Sequence, residues 1–206
     1  NREWAGLSPI FLSQLSHFDS DIDRVTGQRL YNEFGLTKPM NWTAGFLRPT
    51  IKYRSINYEL DRPFTEIENS LNAGSLMASL DGGLVFERQT SLFGQSMIQT
   101  LEPRAYYLYS QYKDQVFQPD FDTAELTFSY GQLFRDTRFS GNDRLDDANQ
   151  LSVGVTSRYF DNETGEEKLS VSLGQIYYFR DREVRLNAFD PELVENTSPL
   201  AGEFSW

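Results

Sequence analysis

The chain has 206 residues, a net charge of −11, 15% aromatic residues and no cysteine. The acidity disfavours nucleic acid and anionic membrane surfaces as partners, and the missing cysteine removes disulfide and thiolate chemistry from this stretch. Mean hydropathy is −0.53 and no run approaches the ~18 apolar residues of a transmembrane helix, but membrane strands need only about 9–11 residues and alternate lipid-facing with lumen-facing side chains.

In chain order, residues 7–18 are a faint first strand, and 29–39 and 44–60 read as further strands. The next is clearer. Leu76, Ala78, Leu80, Leu84 and Phe86 share one parity, and Ser75, Ser79, Asp81 and Glu87 take the other. From Met97, the residues Leu101, Ala105, Tyr107 and Tyr109 continue on one face against Thr100, Glu102 and Arg104. Pro103 lies inside that run and removes one ladder donor. Leu151, Val153 and Val155 alternate with Ser152, Gly154 and Thr156, and Leu169, Val171 and Leu173 alternate with Ser170, Ser172 and Gly174. Asp161-Asn162-Glu163-Thr164-Gly165 is a turn sequence that joins these two runs into a hairpin. A last strand starts near Pro199. The period of two throughout makes the chain all-β.

Length separates the β architectures. These strands run to about 11–18 residues where a globular strand has about 5–6, which favours a partial antiparallel membrane barrel of about eight long strands in meander order over a sandwich. Connections near 40–43, 89–96 and 161–166 are short, and those near 19–28, 61–69, 111–148 and 181–198 are long. Outer-membrane barrels alternate short periplasmic turns with longer extracellular loops in this way. The alternation makes 111–148 a single loop, although 124–130 has some strand character. Folding that loop into the lumen satisfies both its charges and its apolar Leu126, Phe128, Leu133 and Phe134. All of 1–206 then belongs to one barrel domain.

Little points to catalysis or metal chemistry. Asp19, Asp21 and Asp23 open like a calcium loop, but Arg24 stands where the loop needs glycine and Leu30 where it needs glutamate. A solvated acidic loop is the better reading. His17 is the only histidine and no G-x-S-x-G elbow accompanies it. No pair among the 30 acidic residues is marked as a glycosidase pair. No cofactor is expected. Asp81, Glu87, Glu102, Arg104 and Arg158 oppose the apolar parity and would line the lumen of a barrel, because Arg or Lys facing lipid at the midplane costs about 2–4 kcal/mol. Around Asp143-Arg144-Leu145-Asp146-Asp147, charge pattern alone favours a solvated loop with local ion pairs over a fixed network of Arg135, Arg138, Asp143 and Arg144 against the barrel interior.

Several blocks in one order then carry a resemblance: Leu84-Val85-Phe86-Glu87-Arg88, Gln99 through Tyr109, Leu133-Phe134-Arg135-Asp136, Ala148-Asn149-Gln150, Gly154 through Arg158 and Ser172 through Phe179. Together they resemble the LptD (OstA/Imp) family, most strongly over 80–180. The resemblance implies a non-enzymatic lipopolysaccharide translocon in the outer membrane of a Gram-negative bacterium. Members of that family pair a periplasmic jellyroll with a very large barrel that encloses an LptE lipoprotein plug, receives lipopolysaccharide from an LptA-like periplasmic bridge and releases it through a lateral gate. The resemblance also implies that this stretch lies mid-barrel, that the gate and the family's cysteines lie outside it, and that Arg135, Arg138 and Arg144 make loop–plug or loop–wall contacts. A porin-like channel and a soluble β-sandwich carbohydrate-binding module are the competing readings.

Overall fold

The computed structural model describes residues 6–22, 24–61, 68–92, 94–187 and 189–206; Asp23 of the acidic triplet lies outside them. Among the described residues ten strands form one sheet: β1 (Ser8–Phe18), β2 (Thr26–Thr37), β3 (Met40–Trp42), β4 (Gly45–Asp61), β5 (Ser70–Leu84), β6 (Phe86–Leu92), β7 (Gln95–Ser110), β8 (Ala148–Asp161), β9 (Glu167–Tyr178) and β10 (Ala201–Ser205). Among the described residues the only helical element is a 3-10 turn, Tyr130–Phe134.

Ten labels reduce to eight continuous strands. The spatial order is β1-β2-β4-β5-β7-β8-β9-β10, with β3 and β6 off that path. The register Thr37↔Thr50 continues without slip as Met40↔Leu47, so β3 extends β2 beyond Lys38-Pro39. Pro39 has no N–H to give the ladder there. Likewise Gly83↔Arg104 continues as Phe86↔Leu101, so β6 extends β5. The handover falls at Val85, whose N–H donates to Ala44 O at 2.8 Å. Beyond it the strand has a partner only on the β7 side. All neighbours pair antiparallel in sequence order, which is a meander.

The expected connections shift by a few residues. The short ones tighten, since Trp42 already pairs with Gly45 and Leu92 with Gln95. The long ones, 19–25, 111–147 and 179–200, gather at the opposite end of the sheet. Pro103 is accommodated in β7 opposite Val155.

The two faces carry inverted polarity. One exposes Phe11, Leu15, Phe34, Ile51, Leu80, Leu101, Leu173 and Phe204. The other buries Arg29, Glu33, Arg54, Ser75, Asp81, Thr100, Gln150, Ser152, Thr156 and Ser172. Water-soluble domains do the reverse, and charged residues are almost never fully buried unless paired. An apolar outer face over strands of this length is the signature of a transmembrane barrel wall. The β-sandwich alternative does not account for it.

Candidate functional site

The polar face is covered by a strap, residues 111–147. It leaves the sheet after β7 and returns at β8 with one isolated bridge, Glu125↔Phe139, and the 3-10 turn as its only regular structure. Polar strand residues receive its charges and glycines receive its bulk.

The first clamp is built on β2 and β4. Arg29, wholly buried, donates to Asp143 at 2.5 Å and through both terminal nitrogens to Asp122 at 2.6 and 2.8 Å. Asp143 also accepts from the Tyr58 hydroxyl at 2.7 Å, the Thr123 hydroxyl at 3.1 Å, and the backbone N–H groups of Phe121 and Asp122 at 2.8 and 2.9 Å. Phe121 stacks on Phe18 of β1 at 4.1 Å. This buried network corrects the expectation of a solvated loop around 143–147: Arg29 of β2, which the sequence reading did not single out, neutralises Asp143, while Arg138 and Arg180 pair with Asp146 and Asp147.

The second clamp lies nearer mid-sheet. Asp136 accepts from Arg54 at 2.6 Å and from Lys52 at 2.9 Å, and both cations also pair with Glu33 of β2. Between the clamps and β9 the 3-10 turn plugs into the wall. Leu133 sits over Gly174, where a Cβ would come within 2.5 Å of it. Phe134 and Tyr130 sit over Gly154, where a Cβ would lie 2.9 Å from each. Tyr130 also exchanges a hydrogen bond with Thr156 at 3.0 Å.

The residues singled out from sequence fall into two groups. On the strands, Arg104 pairs with Asp81 through two 2.8 Å hydrogen bonds and lies 4.1 Å above the Phe134 ring, so this pair touches the strap. Arg158 pairs with Glu102 closer to the short turns. Among the described residues Glu87 makes no ion pair. On the strap, Arg138 binds Asp146 at 2.8 Å and the Val184 carbonyl at 3.0 Å. Arg144 donates to the carbonyls of Pro119, Arg185 and Leu186. Both therefore hold loop to loop, joining the strap to 179–200, where loop–plug or loop–wall contact was expected. Asp147 reinforces that joint by accepting from the N–H groups of Glu183 and Val184. Arg135 makes no ion pair among the described residues and lines a cavity of about 450 Å³ between strap, second loop and wall.

Burial would raise the carboxyl of Asp136, but Arg54 and Lys52 hold it below the ordinary value of 3.8. Burial likewise opposes Asp143, yet the Asp122 N–H, Tyr58 and Arg29 hold it below that value too. A carboxyl depressed in the folded state stabilises above its unfolded value, and the contribution fades as pH falls through the folded value. Asp146 runs the other way, raised by burial despite Arg138. The strap is therefore expected to stay seated from neutral pH down to about 4 and to release on stronger acidification. Trypsin cleavage within 111–147 after brief acid exposure measures this; a strap that loosens between pH 7 and 5 contradicts the assignment of Asp136 and Asp143.

The class these features define is a transmembrane β-barrel wall, apolar outside, with its charged inner face strapped by a long loop. The chain belongs to the LptD family: the family model, LPS transport system D, matches residues 1–206. It is 41% identical over 209 residues to the LPS-assembly protein LptD of Pseudomonas fluorescens, covering 89% of this chain and 22% of that one. It is 43% identical over 183 residues to the LptD of Hahella chejuensis (89% and 23% covered). It is 50% identical over 167 residues to that of Xanthomonas euvesicatoria (79% and 21% covered). The chain thus spans about a fifth of the length of the curated relatives it matches.

Proposed function

We propose that this chain is a stretch of barrel wall in a lipopolysaccharide translocon of the Gram-negative outer membrane, acting by non-covalent transport. The observation that carries this reading is the inverted sheet: exposed Leu, Ile, Phe and Val on one face, and Arg29, Arg54, Asp81 and Glu33 buried on the other. The apolar face meets outer-membrane lipid. The charged face is the lumen wall, lined by Asp81, Glu87, Glu102, Arg104 and Arg158, and offers a polar path to the sugar portion of lipopolysaccharide. The strap lies on the long-loop side, which in outer-membrane barrels is extracellular, and it narrows the lumen from there.

In this reading an LptE-like lipoprotein plugs the complete barrel, an LptA-like bridge delivers substrate to a domain outside this stretch, and the lateral gate also lies elsewhere. A porin-like channel is the competing function. A strap held by two ionic clamps and an apolar plug speaks for an occluded lumen over a standing pore.

Depletion of the full-length parent protein is expected to abolish surface lipopolysaccharide while other barrels still assemble. Normal surface lipopolysaccharide on depletion, together with a stable ion-conducting pore from the purified protein, would sink the translocon reading.

A further inference from the structure

The apolar character of the outward face stops partway up the sheet. On β4 the outward residues Ile51 and Tyr53 are apolar and exposed, but Ser55, Asn57 and Glu59 follow them. On β5, Leu80 and Leu76 give way to Gly74 and Asn72. The inward face changes over at the same height. Below it the inward residues are Lys52 and Arg54; above it they are Ile56, Tyr58 and Leu60, packed with Tyr31, Ala73 and Leu145 of the strap. Apart from the buried Arg29–Asp143 pair beside Tyr58, the top of β4 and β5 thus has ordinary water-soluble polarity, while the part below is inverted. A change of this kind within continuous strands marks a change of solvent.

Within the strands, the height of the changeover falls or holds level from β1 to β9. The last large apolar outward residues are Leu15 on β1 and Leu30 on β2, which are register partners, and Leu30 stands opposite Asn57 of β4. On β4 the changeover has dropped four residues, to Tyr53, which pairs with Leu76 of β5. On β7 it falls at Tyr109, opposite Ala78 and so two residues lower than Leu76. On β8 it falls at Leu151, opposite Tyr107 and two residues lower again, and Leu151 pairs with Tyr177 of β9. Tyr177 is the last such residue within β9; Phe179, exposed and just past the strand, donates its N–H to Asn149 O and so stands two residues higher. The line drops eight residues over the six steps from β1 to β9. At about 3.3 Å per residue and 4.8 Å between strands, this slope corresponds to strands inclined by about 40° to the normal of the line. Strands of outer-membrane barrels tilt by about 35–45° to the membrane normal.

Two further observations fit. On β7 the outward apolar stretch from Leu101 to Tyr109 spans about 27 Å, which is roughly 21 Å along the normal at that tilt, against an expected band of ~25 Å. The outward polar pair below the line on β1 and β2 is joined internally, the Ser13 hydroxyl donating to Asn32 Oδ1 at 2.8 Å, which lowers the cost of placing it in hydrocarbon.

We infer that the hydrocarbon surface of the membrane crosses this sheet obliquely along the line Leu15–Tyr53–Tyr109–Tyr177, and that the tops of β4 and β5 stand clear of it as a water-exposed collar that grips the strap. The occupant of the face below the line is lipid acyl chain; the face above it meets water and headgroups. This rests on the membrane-wall reading and goes beyond it by fixing depth and tilt.

The test uses the full-length parent in vesicles of bacterial phospholipid, with cysteines introduced one at a time and labelled with an environment-sensitive fluorophore. Leu30→Cys and Asn57→Cys are the decisive pair, since they are register neighbours that the oblique line separates. The Leu30 label is expected to be quenched several-fold more by spin-labelled acyl chains than by aqueous iodide, and the Asn57 label the reverse. Tyr109→Cys and Asn149→Cys form a second such pair. If both members of each pair respond alike, the oblique boundary is wrong while the membrane wall stands. If Leu80→Cys and Ile51→Cys also escape the lipid quencher, the wall reading itself fails.

Discussion

Replacing Arg29 with methionine is expected to unstrap the loop. Arg29 is wholly buried between Asp143 and Asp122, so a neutral side chain strands the buried carboxylate of Asp143 beside the partly exposed one of Asp122. Removing one partner of a buried ion pair costs about 3–5 kcal/mol, mostly because the remaining charge is stranded. Tyr58, Thr123 and two backbone N–H groups still hold Asp143, which places the effect toward the lower end. The released segment carries Lys113, Arg135, Arg138 and Arg144, so trypsin reads its opening directly. A loss of about 3 kcal/mol raises the open population by about a hundredfold. Asp143→Asn in the same background removes the stranded charge and is expected to recover part of that loss. Unchanged trypsin resistance in Arg29→Met would show that the clamp contributes nothing.

Gly174→Val is expected to act on the plug with comparable force. A Cβ there would come within 2.5 Å of Leu133 Cδ1 and 2.7 Å of the Val153 carbonyl oxygen. The Leu133 side chain can yield only by leaving its site, and the carbonyl belongs to the neighbouring strand and cannot yield at all. Overpacking of this kind costs about 1–3 kcal/mol, and Leu133, fully buried, surrenders burial as it is displaced. Leu133→Ala alone should cost about 2–5 kcal/mol through the cavity it leaves. Combined with Gly174→Val, the two losses should add up to less than their sum, because the alanine makes room for the valine. Strict additivity in strap proteolysis would mean that Gly174 does not seat the turn.

The fold was legible because period two writes both faces of every strand into local sequence. Leu76, Leu80 and Leu84 against Ser75, Ser79 and Asp81 need no knowledge of the partner strand. The two interruptions were harder. Pro39 signals one of them, but Val85 marks only the point where β4 runs out, a fact about the neighbouring strand. The strap was legible as a loop, since the alternation of short and long connections outweighed the strand character at 124–130. Its clamps were not. Arg29, Lys52 and Arg54 belong to the same polar parity as Asp81 and Arg104, and that parity could have drawn attention to them. Which strap acid each one meets depends on pairings across 82 to 114 residues, which no local pattern encodes. Arg138 and Arg144 do fix the strap, but against 179–200, because their own neighbours Asp136 and Asp143 already engage the wall.

The long reach of those clamps also orders assembly in time. Strand partners along the sheet follow one another in the chain, so each hairpin can close soon after its second strand exists. Arg29 waits for Asp143, 114 residues later, and the entropy of closing such a loop must be met before the contact returns anything. The sheet can therefore zip from one side while its polar face is still bare, and the strap settles last, as a late and separable step whose rate responds to the clamps while the zipping of the hairpins does not.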